Sequence, residues 1–136
     1  MWDFGSAGWM DKVVLLIVGG SLGTLSRYAL GVLIARSWGT GFPWGTLVIN
    51  LTGCFLIGVA FALGDRNLLG PSSRLAFVTG FLGAYTTFST YALETANFAR
   101  SGQTGVAAVN LLASTFGGLF LVVAGMWLGR ILFRGG

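Results

Sequence analysis

The sequence predicts an all-α integral membrane protein of four transmembrane helices, and three observations lead there. First, 54% of its 136 residues are hydrophobic and only 9% are charged. An average soluble domain carries roughly 25% charged residues, so this chain has too few polar side chains to cover a surface facing water. Second, four apolar stretches reach the length of about 20 residues that a helix needs to cross a bilayer. They span residues 13–34, 44–63, 75–98 and 106–128, within a single transmembrane domain covering residues 1–136. Third, the chain holds 23 glycines, which suits helices whose backbones approach closely in lipid.

The lead-in, residues 1–11, is mixed and carries Trp2, Phe4 and Trp9. Tryptophan favours the headgroup level, so this segment reads as interfacial. It does not read as a signal peptide, because the apolar run after Lys12 is too long for a signal core and no small-residue cleavage site follows it. The first span contains a Gly19-xxx-Gly23 pair and then Arg27. The second contains Asn50 within WGTLVINLTG, and the fourth contains Asn110 and Ser114 one turn apart. The connections RSWGTGFP, GDRNLLGPSS and ARSGQTG hold both prolines and several glycines, as turns do.

Four spans put both termini on one side. That side, with the second connection, carries Lys12, Arg66, Arg74, Arg130 and Arg134, and the other carries Arg36 and Arg100. Five against two favours termini inside. Asp3, Asp11 and Asp65 on the richer side weaken that bias, and so slight an asymmetry is compatible with insertion both ways. Four glycine-rich helices also give a pore little wall, so an oligomer is expected, with a two-fold dimer the commonest closed form. An antiparallel pair supplies the inverted symmetry that larger transporters obtain from internal repeats.

The third span departs from the others. In TGFLGAYTTFSTYALE, residues 79–94, seven of sixteen side chains carry a hydroxyl and nothing before Glu94 is charged. Hydroxyls without charge beside Gly80 and Gly83 suggest a path for an ion that sheds its water. Thr and Tyr are poor helix formers and glycine costs about 1 kcal/mol against alanine, which predicts a break there. Irregular backbone at membrane depth is tolerated where it is buried or lines a wet cavity, and its freed carbonyls can coordinate a small cation. The same glycines equally fit close helix approach, with the hydroxyls bonding back to carbonyls one turn earlier.

Each polar position likewise has two readings. Phe88 and Tyr91 share a helix face; their positive ring edges can meet an anion, or they pack against lipid and helices. The Asn50 amide has two N–H donors for a dehydrated anion, or it bonds a neighbouring helix. Asn110 and Ser114 carry the same pair of readings. Arg27, an intramembrane charge, either draws anions into a vestibule, pairs with Glu94 or anchors a helix end.

Several classes are excluded. The chain has no histidine and one cysteine, Cys54, so it offers no zinc-ligand set and no intrachain disulfide. Its basic residues are scattered singly, without the stripe that nucleic acid requires. No nucleophile–base pair, paired carboxylate or phosphate-binding loop occurs, so the chain reads as a non-enzyme.

The residues GFLGAYTTFSTYALE resemble the third-span signature of the CrcB/Fluc fluoride channels. PWGTLVINLTG resembles that family's second-span motif, and GGSLGTLSRY its glycine-rich first span. The resemblance covers nearly the whole chain beyond residue 11. It implies a fluoride-selective, passive channel in the cell's inner (plasma) membrane that relieves fluoride toxicity. The implied assembly is an antiparallel, dual-topology homodimer with two pores. It also implies roles by position. Asn50 is the pore asparagine, Phe88 and Tyr91 are the pore aromatics, and Ser89, Thr90 and Ser114 form a hydroxyl track. The carbonyls of Gly83 and Thr86 from both subunits ligate a structural sodium ion. Two departures stand out: Tyr91 replaces a phenylalanine common in the family, and Gly118 stands where a second fourth-span hydroxyl is often found. The track is therefore shorter here or uses Thr115.

Two other readings compete. A small multidrug-type proton-coupled exporter also has four helices but needs an acid in its first span, where this chain has Arg27. A structural membrane subunit would use the glycines and hydroxyls for packing alone.

Overall fold

A computed structural model of the chain describes residues 8–133. Trp2, Phe4, Asp3 and Arg134 lie outside the described residues. Within them every regular element is helical. Helix α1 spans Trp9–Trp38 and α2 spans Trp44–Asp65. Next come a single turn α3 (Pro71–Arg74), a π-helix (Leu75–Leu82) and a short α4 (Gly83–Tyr85). Helix α5 spans Phe88–Arg100 and α6 spans Thr104–Leu132.

Three helices, α1, α2 and α6, are long and apolar enough to cross a membrane. Helix α1 outruns its apolar stretch at both ends, from Trp9 to Trp38, α2 runs two residues past its stretch to Asp65, and α6 extends at both ends, from Thr104 to Leu132. Gly39 and Gly102 close α1 and α5 with φ of 77° and 81°, a left-handed turn that glycine adopts without strain. The stretch between α2 and α6 is jointed: a π-helix, two short α segments and α5 share the length that one helix would occupy.

Packing follows the glycines. Helix α1 lies along the π-helix, with Gly19 against the Ala76 carbonyl and Gly23 against the Phe81 carbonyl. A Cβ at either glycine would collide with that backbone, so the GxxxG pair is a docking groove for the π-helix. The π-helix itself is rare and concentrates at functional sites; here its i→i+5 pattern continues into Gly83, whose N–H meets the Val78 carbonyl. Helices α2 and α6 run parallel in equally close contact, Gly58 facing Val122 and Gly125 facing Phe55. At their shared end Arg130 lies 3.9 Å from Asp65, and Arg66 donates to the Phe133 carbonyl. The second connection and the end of α6 therefore meet at one pole of the bundle.

The apolar core is small: Ile49, Leu82 and Tyr85, flanked by Leu30, Leu56, Phe77 and Phe81. Large apolar side chains along α1 (Ile17, Leu25) and α6 (Leu119, Phe120, Val123) face outward. The largest fully buried side chain is polar, Asn110 at 1% exposure. Large apolar side chains facing outward are what a hydrocarbon solvent permits, and a buried polar side chain such as Asn110 needs partners inside the bundle.

Candidate functional site

The site forms where α2 crosses the joint between α4 and α5. Thr86 (φ −85°, ψ 157°) and Thr87 (φ −148°, ψ 112°) are extended there. The glycines do not leave the helix: Gly83 is helical at φ −61°, ψ −34°, and Gly80 lies within the π-helix. What interrupts the helix comes from α2. Asn50 Nδ2 donates to the Thr87 carbonyl at 3.0 Å, and the Thr87 N–H donates to Asn50 Oδ1 at 2.8 Å. In an extended residue N–H and C=O point the same way, so one carboxamide closes both bonds, much as a neighbouring strand would. Both bonds lie in partly buried surroundings, where an unpaired backbone group would cost about 1–3 kcal/mol.

Thr87 then starts α5. Its hydroxyl oxygen accepts the Thr90 N–H at 3.2 Å, a side-chain N-cap, and its hydroxyl donates to Thr90 Oγ1 at 3.0 Å. On the other side of the joint the Thr86 hydroxyl bonds back to the Leu82 carbonyl at 3.0 Å. The hydroxyls of this segment therefore divide: Thr86 bonds back along its helix, whereas Thr87 and Thr90 bond to each other.

Two cavities flank the joint. The first, about 540 Å³, is lined by Asn50, Gly83, Thr86, Phe88, Tyr91 and Ser114, with Cys54, Thr79 and Thr115 beside them. No Lys, Arg, Asp or Glu lines it. The rings of Phe88 and Tyr91 lie 5.6 Å apart at 58°, one helical turn apart as their spacing requires. The second cavity, about 600 Å³, is lined by Arg27, Thr46, Thr90 and Glu94 and by aromatic walls from Tyr28, Phe42, Trp44 and Phe98. Thr87 lines both cavities.

Six of the expected site residues thus converge on the uncharged cavity, and Arg27 and Thr90 face the other. Ser89 lines neither; its hydroxyl is exposed, 3.4 Å from Thr87 Oγ1. Arg27 and Glu94 share a cavity without forming an ion pair among the described residues, contrary to one expectation for Arg27. Glu94 Oε1 instead accepts the Thr46 hydroxyl at 2.8 Å, and Oε2 is buried without a partner. Gly118 faces Cys54 Sγ, 3.3 Å from where a Cβ would stand, so a hydroxyl side chain there would displace the thiol; Thr115 lines the cavity instead.

Three positions were not singled out from the sequence. Thr46 and Thr95 read as ordinary helix residues, and Thr87 as one hydroxyl among seven. Thr95 donates to the Tyr91 carbonyl at 2.8 Å and accepts from Asn110 Nδ2 at 2.9 Å. Ser114 donates to Asn110 Oδ1 at a longer 3.5 Å, so Asn110 ties α5 to α6 behind the Tyr91 ring. The one local signal was Thr87 three residues before Thr90, the spacing of an N-cap and the amide that it accepts. Among the described residues no cluster of His, Cys, Asp or Glu suits a metal ion.

Comparison with known proteins finds one family model, described as CrcB-like protein, Camphor Resistance (CrcB), that matches residues 14–126. Relatives of similar length share much of the sequence. A protein of Acidobacterium capsulatum named fluoride-specific ion channel FluC is 47% identical over 122 residues, 89% of this chain and 94% of the relative. Proteins of the same name from Thermus thermophilus and Agrobacterium fabrum are each 42% identical, covering 90% and 91% of this chain and 98% and 100% of the relatives.

Proposed function

The chain belongs to the CrcB family, and from that premise we propose that it is a multi-pass membrane channel that lets fluoride leave the cell down its own gradient. It is a transporter and not an enzyme. The observation that carries this reading is the uncharged cavity in which an amide, hydroxyls and aromatic ring edges converge beside an extended stretch of backbone. Fluoride is small, strongly hydrated and a strong acceptor. A conduit for it must replace water with donors and still release the ion. Of the two N–H donors on Asn50, one is committed to the Thr87 carbonyl and the other is left for an anion. The Ser114 and Thr115 hydroxyls and the ring edges of Phe88 and Tyr91 extend the donor set without a fixed cation. Arg27, in the neighbouring cavity, concentrates anions at the entrance, and Thr90 and Ser89 form the first turn of α5 between that entrance and the pore.

The functional unit in this reading is an antiparallel, dual-topology homodimer with two pores, and the jointed stretch from the π-helix to α5 serves as the third of four membrane crossings. Phe88, 78% exposed on a single chain, and the exposed Gly83 support it, because a pore lining and a backbone oxygen left open are completed by a second copy. A sodium ion fits the donor set: the Gly83 and Thr86 carbonyls of each subunit would hold it. When bound, such an ion supplies positive potential near both pores. Among the described residues no backbone hydrogen bond outside the helices ends on either carbonyl, which leaves both available to a cation.

Growth of a fluoride-sensitive bacterial strain tests the function. The channel should restore growth in fluoride and leave sensitivity to cationic dyes unchanged. Failure to restore growth, with the protein present in the membrane, would contradict the reading.

A further inference from the structure

We propose that Asn50 is the positioning residue of the cation site, in addition to lining the anion path. The inference rests on the sodium reading above and adds a cause for it. In a continuous helix the Gly83 carbonyl accepts the N–H of residue 87, and the Thr86 carbonyl accepts the N–H of residue 90. Both donors are diverted here, each by a side chain. Asn50 Oδ1 takes the Thr87 N–H at 2.8 Å, and Thr87 Oγ1 takes the Thr90 N–H at 3.2 Å. The two carbonyls suited to a cation are thus the two whose own partners have been captured.

Orientation follows from the same bond. In a trans peptide the N–H and the preceding C=O point in opposite directions, and no peptide among the described residues is cis. Drawing the Thr87 N–H toward α2 therefore turns the Thr86 carbonyl away from α2. The second bond, from Asn50 Nδ2 to the Thr87 carbonyl at 3.0 Å, fixes Thr87 in its extended conformation. That conformation in turn lets the Thr87 side chain reach forward as the N-cap that captures Thr90. One carboxamide thereby frees one oxygen, aims the other, and still presents a spare N–H to the uncharged cavity. The anion path and the cation site are coupled through a single side chain.

The coupling is tested by the sodium dependence of thermal unfolding of the purified dimer, in sodium or choline chloride at constant ionic strength. Wild type should gain stability with sodium, as a ligand of the folded state requires. Asn50→Leu, similar in size and without polar atoms, returns the Thr87 N–H to Gly83. Its half-saturating sodium concentration should rise about ten- to a hundredfold, as for loss of a residue that orients metal ligands. Asn50→Asp keeps the acceptor for the Thr87 N–H and loses the donors. Its sodium response should weaken less than that of Asn50→Leu, because the Thr87 N–H stays diverted from Gly83 while the bond to the Thr87 carbonyl is lost, and fluoride flux should fall. A folded Asn50→Leu dimer with the wild-type sodium response would overturn the inference. If that variant does not assemble, a folded Asn50→Ala dimer with the wild-type sodium response would do so. A wild-type dimer indifferent to sodium would remove the cation reading itself, and the inference with it.

Discussion

Gly53 lies directly beneath Thr86: a Cβ added to the glycine would run into the Thr86 methyl group. The contact joins α2 to the joint between α4 and α5, one turn along from the Asn50 bonds to Thr87. Gly53 therefore has a steric reason to be glycine that neither helix packing in general nor turn geometry supplies. Gly53→Val should move Thr86 and destabilise the fold by about 1–3 kcal/mol, the usual effect of overpacking. The paired measurements are chemical denaturation and fluoride flux. Flux should fall further than stability explains, because Thr86 also supplies a cavity wall. Wild-type flux and stability in Gly53→Val would show that the joint does not depend on this contact.

Phe88 and Tyr91 make a pair of tests. Phe88→Ile keeps an apolar side chain of similar bulk and removes the ring edge, so conduction should fall to background while the protein still runs as an assembled dimer on size exclusion. Tyr91→Phe keeps the ring and removes the phenol. Its flux should stay close to wild type if the edge alone faces the anion. A large loss would assign a donor role to the phenol, and normal conduction in Phe88→Ile would remove the ring-edge mechanism.

Asn110 should matter for stability through α5. Its side chain is buried and donates to Thr95 Oγ1, and Thr95 is anchored on the Tyr91 carbonyl. Asn110→Ala removes that link and leaves a small cavity, with an expected loss of about 1–3 kcal/mol. Thermal unfolding of the purified dimer reads the loss. No loss would mean that the α5–α6 link contributes nothing net.

The long helices were legible because length and apolar content suffice to mark a span: α1, α2 and α6 cover the first, second and fourth apolar stretches. The start of α2 at Trp44 was also legible, but the ends of α1 at Trp9 and Trp38 were not, since polar and aromatic residues there continue the helix beyond its apolar stretch. In the third stretch the hydroxyls and glycines pointed to unusual backbone across the segment without fixing which residues leave the helix. Gly80 and Gly83 stay helical, and Thr86 and Thr87 are the extended ones. The cause sits 37 residues away at Asn50, and competition between a side-chain oxygen and a helical carbonyl leaves no local pattern to read. For the same reason Thr46, which donates to Glu94 across 48 residues, went unnoticed. The face that Phe88 and Tyr91 share was legible because their spacing of three alone puts both rings on one side of a helix.

The central claim is that an uncharged, donor-lined cavity passes fluoride. The most direct measurement is efflux from liposomes that hold the purified protein, followed with a fluoride electrode and matched by chloride-loaded vesicles with a chloride electrode. The account predicts rapid fluoride release, silent chloride vesicles, and loss of the fluoride signal in Asn50→Asp. Folded, dimeric protein that releases no fluoride, or that releases chloride equally well, would contradict it.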